Sequence, residues 1–179
     1  MKKIYLLFIM TISIVLTTSC SIGGNRTEKL NCSNDNEIAN STLEQILDAI
    51  VDEDEESIKD IFSKQALEED VNFETELKYI FGFFSGEITS WEKFTGPIVS
   101  EENNYGVKVK DIKSFYEVET DEENYLVFIL EYTEDTDHPE NVGVYALRII
   151  KAEDIETQFG SWQEMAIVGI YMPKDDSSE

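Results

Sequence analysis

His138 is the only histidine in the chain, and it lies in the polar stretch EDTDHPENVG. Nucleophilic catalysis needs a base such as histidine beside a serine, cysteine or threonine, whereas a proline-containing loop usually leaves its histidine in solvent. Asp135, Asp137 and Asn141 repeat half the spacing of a calcium loop, but Glu140 stands where that loop requires glycine. Asx-turn hydrogen bonds to the backbone explain the two aspartates. We therefore assign no catalytic residue, no metal ligand and no cofactor.

Aromatic side chains that carry a polar atom are the better candidates for binding. A curved sheet over helices often leaves a concave pocket, which tyrosine and tryptophan can line. The candidate ligand-binding residues are Trp91, Tyr125, Tyr132 and Tyr145. Trp162 and Tyr171 share this character. The competing interpretation is that all of these are core or edge residues of the fold.

Cys20 is the candidate for covalent modification. Lys2 and Lys3 precede an uncharged, mostly apolar run over residues 4–16. This run is shorter than the roughly 20 residues that span a bilayer, but it suits a secretory signal. The following residues, LTTSC, resemble a lipobox, although Thr17 stands where leucine is usual. The sequence predicts that Cys20 takes a diacylglyceryl group and becomes the first residue of the mature protein, with palmitate as an expected acyl chain.

Two alternatives for Cys20 stay open. The signal could be a plain secretory one that ends in a small-x-small cleavage site. Alternatively, Cys20 could form a disulfide with Cys32, the only other cysteine. Such a loop would lie in a segment without a core and would therefore stabilise little.

The chain is strongly acidic, with 38 acidic and 14 basic side chains in 179 residues and a net charge of −24. Such a surface repels nucleic acid and anionic lipid headgroups. Neither is therefore expected as a partner. The acidic surface favours solubility and could attract a basic partner. The simpler interpretation is a solvated acidic surface.

The sequence divides into four segments. They are a signal peptide at 1–19, the lipidated cysteine with a flexible tether at 20–40, a single domain at 41–173 and an acidic tail at 174–179. The tether is rich in Gly, Ser and Asn, as expected of a flexible spacer.

Helical patterns come first in the domain. A capping-box sequence predicts a helix from Ser41 to about Val51. The run DEDEE follows; we interpret it as helix-start chemistry, with Asp54 as the cap of a second helix. Phe73–Phe84 predicts a third helix from its apolar stripe.

Alternating patterns follow Gly86 and predict strands. The predicted strands are Glu87–Thr95, Val107–Thr120, Asn124–Thr133, Val142–Lys151 and Glu164–Met172. Gly96-Pro97 should end the first of them, and a phase slip near Lys110-Asp111 suggests a bulge. The predicted fold class is α+β, with N-terminal helices packed on a curved antiparallel sheet.

Four stretches of the chain are similar to a known family. They are LDAIVDEDEESIKDIFSKQA, YIFGFFSGEITSWE, EYTEDTDHPENVGVYALRIIKAED and GIYMP. They resemble an uncharacterised family of lipoproteins from Gram-positive Firmicutes, a domain of unknown function with a nuclear transport factor 2-like (cystatin-like) cone fold. The resemblance covers residues 38–173. It implies the cone fold and a place on the outer face of the cell membrane, but no activity, because the family has no established catalytic residues.

These observations lead to one expected function and two alternatives. We expect a membrane-anchored extracytoplasmic lipoprotein whose domain is a non-catalytic module for an unknown ligand or protein partner. The first alternative is a self-associating structural protein, such as a homodimer. The second is an enzyme that uses acidic residues inside the cone, for which abundant carboxylates alone are not evidence.

Overall fold

A computed structural model describes residues 24–159 and 165–172, with side chains described from residue 34 onward. The signal peptide, Cys20, Trp162 and the acidic tail lie outside the described residues. The chain divides into two compact units, Met1–Asn34 and Asp35–Glu179. Of the first unit, the backbone described is helical and begins at Gly24. The second unit carries the sheet and all remaining elements that are described.

Five helices and five strands make up the described part of the chain. The helices are α1 (Gly24–Val51), α2 (Glu55–Ile61), α3 (Lys64–Glu69), α4 (Phe73–Phe83) and α5 (Ile155–Gln158). The strands are β1 (Ile88–Asn104), β2 (Val107–Thr120), β3 (Asn124–Asp135), β4 (Gly143–Lys151) and β5 (Gly169–Ile170). Short 3-10 turns lie at Pro139–Asn141 and Ala152–Asp154. The α+β class is confirmed.

The sheet is mixed, with the strand order β1-β2-β3-β4-β5. The first four strands are antiparallel neighbours joined by turns. β5 runs parallel to β4, and α5 lies between the two strands in the sequence. The prediction of a purely antiparallel sheet, with a nine-residue last strand at Glu164–Met172, is therefore wrong.

Helix α1 begins well before the predicted capping box. Residues 24–40 were expected to be part of a flexible tether, and the structure corrects this to helix. The part of α1 that follows Asn34 makes tertiary contacts. Ala39 is fully buried, and the carboxylate of Asp35 pairs with Lys110 on β2 at 2.6 Å. Packing of this kind can stabilise a helix whose polar sequence gives it little apolar periodicity.

The chain between α1 and α4 is organised by helix caps. Asp54 accepts a hydrogen bond from the backbone N–H of Ser57 at 3.1 Å, so its predicted role as the cap of α2 is confirmed. The additional helix α3 was not predicted. Its cap is Ser63, whose hydroxyl accepts from the N–H of Ala66. The first backbone N–H groups of each helix have no acceptor within the helix. The side chains of Asp54 and Ser63 supply an acceptor for one such N–H each.

Strand β1 is longer than the sequence predicts. It passes through Gly96-Pro97 and continues to Asn104. Proline is tolerated there because β1 is the outermost strand of the part of the sheet that the structure describes, where a missing N–H breaks no ladder. Register shifts interrupt its pairing with β2 between Ile88 and Ile98. The predicted bulge at Lys110-Asp111 is confirmed by a register shift between β2 and β3.

The two faces of the sheet bury different clusters. One face packs against the helices and includes Tyr116, Tyr125 and Ile129. The opposite face buries Phe115, Phe128, Leu130 and Ala146 beneath Met165. Alternation along each strand separates the two sets of side chains.

Candidate functional site

A buried polar group lies between α1 and the sheet. Glu131 on β3 is only 6% exposed, and its Oε2 accepts a hydrogen bond from the Thr42 hydroxyl at 2.8 Å. Its other oxygen, Oε1, is buried without a hydrogen-bond partner. Burial raises the pKa of Glu131, and the Thr42 hydroxyl opposes this shift.

Tyr116 on β2 belongs to the same interface. It is fully buried, and its hydroxyl donates to Asn40 Oδ1 at 3.2 Å. Burial raises the pKa of Tyr116 to about 12, with a smaller contribution from the negative charge of Glu131. An acid and a phenol can perform proton transfer only where a substrate reaches them. Because both side chains are closed off from solvent, their observed contacts fit a role in joining α1 to the sheet.

The four predicted aromatic residues do not form one surface. Tyr132 and Tyr145 contact each other, with ring centroids 5.8 Å apart. Trp91 packs edge-on against the Tyr116 ring. Tyr125 has no exposed surface and packs against the rings of Phe83 and Phe84 at the end of α4.

The polar loop around His138 is stabilised by hydrogen bonds within the loop that the Asp135 side chain accepts. Asp135 accepts hydrogen bonds from the N–H groups of Asp137 and His138 and from the Asn141 side chain. These bonds, led by the one from His138, lower the pKa of Asp135. The Asx-turn interpretation is therefore confirmed for Asp135.

Two open grooves carry acidic side chains. One, of about 340 Å³, lies where α1 meets α2; among its lining residues are Asp48, Asp52, Asp54 and Asp60. The other, of about 420 Å³, lies at the turn between β2 and β3 and includes Glu122 and Glu123. Within the described part of the chain, no group of three potential ligands is placed to hold a metal ion. The grooves therefore contribute charge to the surface without a defined coordination site.

The outer part of β1 presents an open sheet edge. From Ile98 to Asn104 each residue pairs one-to-one with β2, without a register shift. Among the described residues, β1 is the terminal strand of the sheet, so its outer backbone groups have no strand beside them. We call Ile98–Asn104 the free edge. Unpaired backbone donors and acceptors of this kind are a template for another strand.

The free edge begins with two apolar residues and carries two acidic residues at and after its centre. Ile98 is 44% exposed and Val99 is 36% exposed, and the bulged Phe94 just before them is 54% exposed. Glu101 and Glu102 follow and are also exposed. The free edge therefore combines unpaired backbone, apolar contact area and negative charge.

A tight turn ends the free edge. Tyr105 and Gly106 both have positive φ values, 52° and 93°, as a two-residue hairpin turn requires. The free edge was not predicted, because Gly96-Pro97 was expected to end the first strand. The tripeptide Asn-Tyr-Gly at residues 104–106 was the available signal, since it places turn residues directly before β2.

Among the described residues, no helix has both the length and the apolar character needed to cross a membrane.

The chain was also compared with known proteins. No curated protein matches it. One family model does match, over residues 45–152, and its description is a domain of unknown function, DUF5104. The matched residues run from α1 to the end of β4 and include the free edge. Because the match covers more than half of the sequence, this chain belongs to the DUF5104 family.

Proposed function

We propose that this protein is a lipoprotein anchored to the outer face of a Gram-positive cell membrane, and that its domain is a non-catalytic module that binds a protein partner. We further propose that the domain is a nuclear transport factor 2-like cone. The order of helices followed by a sheet, with α1 and α4 on one face, supports the cone. The charged start, the apolar run and the LTTSC sequence support the anchor.

The free edge is the observation that carries the binding proposal. A partner segment in extended conformation can add to Ile98–Asn104 through main-chain hydrogen bonds. The earlier part of β1 is a poor template, because register shifts and Pro97 interrupt its backbone pattern. Binding is therefore confined to the regular section.

Charge favours a basic occupant. Glu101 and Glu102 lie near the centre of the free edge, and opposite charges placed across neighbouring strands stabilise a pair. A second copy of the chain is disfavoured, because antiparallel pairing centred on Glu101 would place that residue opposite its own copy. Each copy also carries a net charge of −24. We propose an extended segment with alternating lysine or arginine and apolar residues.

The test uses a seven-residue peptide that alternates lysine and valine. We expect it to bind the purified full chain, measured by isothermal titration calorimetry. The double variant Glu101→Lys, Glu102→Lys should bind the peptide about tenfold more weakly, because the attractive pair on the face that carries the lysines becomes repulsive and the local charge of the free edge is reversed. A matched variant, Glu68→Lys with Glu122→Lys, makes the same change in net charge at exposed positions away from the free edge and should bind like the parent.

A second peptide separates strand addition from simple charge attraction. It has the same side chains but N-methyl groups on alternate residues, which remove donors to the free edge. We expect its binding to be lost. Equal binding of both peptides, or equal weakening by both double variants, would contradict strand addition at the free edge. A dimer of the parent chain in light scattering that the Glu101→Lys, Glu102→Lys variant loses would assign the edge to a second copy instead.

Replacement of Cys20 by serine tests the anchor. The serine hydroxyl cannot take the place of the thiol in lipid transfer, so we expect the variant to be released into the medium or to remain unprocessed. The distribution of the protein between washed membranes and medium is the measurement. A Cys32→Ser variant, which removes the other thiol, should partition like the parent. The anchor proposal is wrong if the Cys20 variant stays in the membrane and is cleaved at the same position.

A further inference from the structure

Two carboxyl groups meet where α3, α4 and β5 come together. Asp70 follows α3 directly, and Glu76 lies in the first half of α4. Asp70 Oδ2 and Glu76 Oε2 are both closed off from solvent, and neither has an ordinary hydrogen-bond donor. The second Asp70 oxygen, Oδ1, accepts from the N–H of Asn72 at 2.9 Å. Asp70 Oδ2 and Glu76 Oε2 are therefore the two carboxyl oxygens of this junction that lack an ordinary hydrogen-bond donor.

Contact between two carboxyl groups depends on their protonation. Ionised carboxylates only accept hydrogen bonds, so contact between two of them is favourable only when one carries a proton. The side chains of Asp70 and Glu76 lie within hydrogen-bonding reach of each other. Burial, the hydrogen bond with Asp70 and the Asp70 charge together raise the pKa of Glu76 to about 7, with burial the largest cause.

The charged residues near Asp70 and Glu76 do not neutralise the negative charge of these two carboxyl groups. Glu69, next to Asp70, accepts a hydrogen bond from the Tyr145 hydroxyl of β4. Glu74, on the same helix as Glu76, pairs with Lys59 on α2 at 2.8 Å. β5 contributes Gly169 and Ile170, which have no charged side chain. Among the described residues, no lysine or arginine forms an ion pair with Asp70 or Glu76.

The pair lies directly against β5. The backbone N–H of Ile170 acts on the Glu76 carboxylate and lowers its pKa, which only partly opposes the causes that raise it. Asp70 sits so close to Gly169 that a side-chain carbon added there would lie 1.8 Å from Oδ2. β5 is otherwise held by a two-residue parallel ladder with β4 and by the N–H of Tyr171, which donates to Leu147 O at 2.8 Å.

We propose that Asp70 and Glu76 share one proton, and that this proton controls the docking of residues 165–172 onto β4. With the proton bound, the pair is a hydrogen bond that supports β5. With the proton lost, two partly buried negative charges repel each other beside a short strand. Release of this segment would uncover Ile170 and open the outer edge of β4 at Ala146 and Leu147.

The direction of the pH dependence follows from the raised pKa. An unfolded glutamate releases its proton near its ordinary value of 4.5, whereas folded Glu76 keeps it up to about 7. Docking is therefore supported fully below 4.5, and this support is lost as the pH rises through about 7. Mildly acidic surroundings hold the segment in place, and alkaline surroundings loosen it.

Hydrogen exchange followed by mass spectrometry on the full chain tests the proposal. After correction for intrinsic exchange rates, we expect peptides that cover residues 165–172 to lose protection about tenfold between about pH 5.5 and about pH 8.5. The Glu76→Gln variant cannot lose a proton, so its protection should be the same at both pH values. Glu68→Gln removes a charge from the exposed face of α3 and should behave like the parent.

Asp70→Asn provides a second variant from the other half of the pair. It removes the repulsion but leaves Glu76 partly buried, so it should weaken the pH dependence without abolishing it. This second variant distinguishes loss of the pair from a folding defect specific to Glu76→Gln. Protection that does not change with pH in the parent would overturn the proposal. So would a pH-dependent loss that both Glu76→Gln and Asp70→Asn retain.

Discussion

Replacing Tyr125 by alanine is expected to lower the free energy of unfolding by about 4 kcal/mol. The ring has no exposed surface, and its centroid lies 4.6 Å from that of Phe84 and 5.8 Å from that of Phe83. The hydroxyl accepts a hydrogen bond from the N–H of Ser85 at 2.9 Å and donates to Phe83 O at 3.3 Å. Truncation would leave a cavity between α4 and β3 and an unsatisfied backbone N–H. Urea unfolding followed by circular dichroism measures the effect.

Phenylalanine at position 125 separates the ring from the hydroxyl. It keeps the buried ring and removes the hydrogen bonds, so a loss of about 1 kcal/mol is expected. This variant should bind the lysine–valine peptide like the parent, because Tyr125 lies in the core and not at the free edge. If alanine at this position leaves the unfolding midpoint unchanged, Tyr125 is not part of the core.

Replacing Gly143 by alanine is expected to cost about 3 kcal/mol of stability. Gly143 begins β4 with φ at +127°, a conformation that residues with a side chain rarely adopt. An added carbon would also lie 2.8 Å from Ser63 N and 3.1 Å from Ile61 O. These are backbone atoms of the last residue of α2 and of the cap of α3, and Ser63 N donates to Val144 O at 2.8 Å. The substitution therefore strains the junction between the helices and β4.

Two other glycines serve as controls for the same urea experiment. Gly106 has φ at +93° but nothing within 4 Å of an added carbon, so alanine there should cost about 1 kcal/mol from backbone conformation alone. Gly82 lies in α4 with open space around it, and alanine should stabilise slightly. An equal cost at Gly143 and Gly106 would mean that the close approach of Ser63 has no consequence.

Local patterns predicted most of the sheet correctly. β2 has the predicted bounds, β3 begins at the predicted Asn124, and Asp54 caps α2. Alternation and cap residues are properties of a few neighbouring residues, so they can be read from the sequence directly. The antiparallel core of the sheet follows from such signals.

The errors arose where distant contacts decide the structure. The helical residues before Ser41 have a polar sequence, but Asp35 finds a cation on β2, 75 positions away. Proline usually ends a strand, yet Pro97 is tolerated because β1 has no outer neighbour among the described residues. The direction of β5 depends on the path of the chain after β4, which no local pattern encodes.

The free edge was not predicted from the sequence, and the predicted aromatic residues do not lie on it. Aromatic residues were expected to line a pocket, whereas Tyr125 lies in the core and Tyr132 packs against Tyr145. The free edge depends on which strand is outermost, and that is a property of the whole sheet. The partners of Asp70 and Glu76 likewise become visible only when β5 is in position.

The limits of the free edge make it a molecular ruler. Pro97 offers no N–H on one side, and the turn at Tyr105 and Gly106 reverses the chain on the other. At about 3.3 Å per residue, the seven residues between them provide a ladder of roughly 23 Å. A longer partner segment would extend past both ends without further main-chain bonds, and a shorter one would leave bonds unmade. The protein would thus discriminate among partners by the length of their extended segment as well as by their charge.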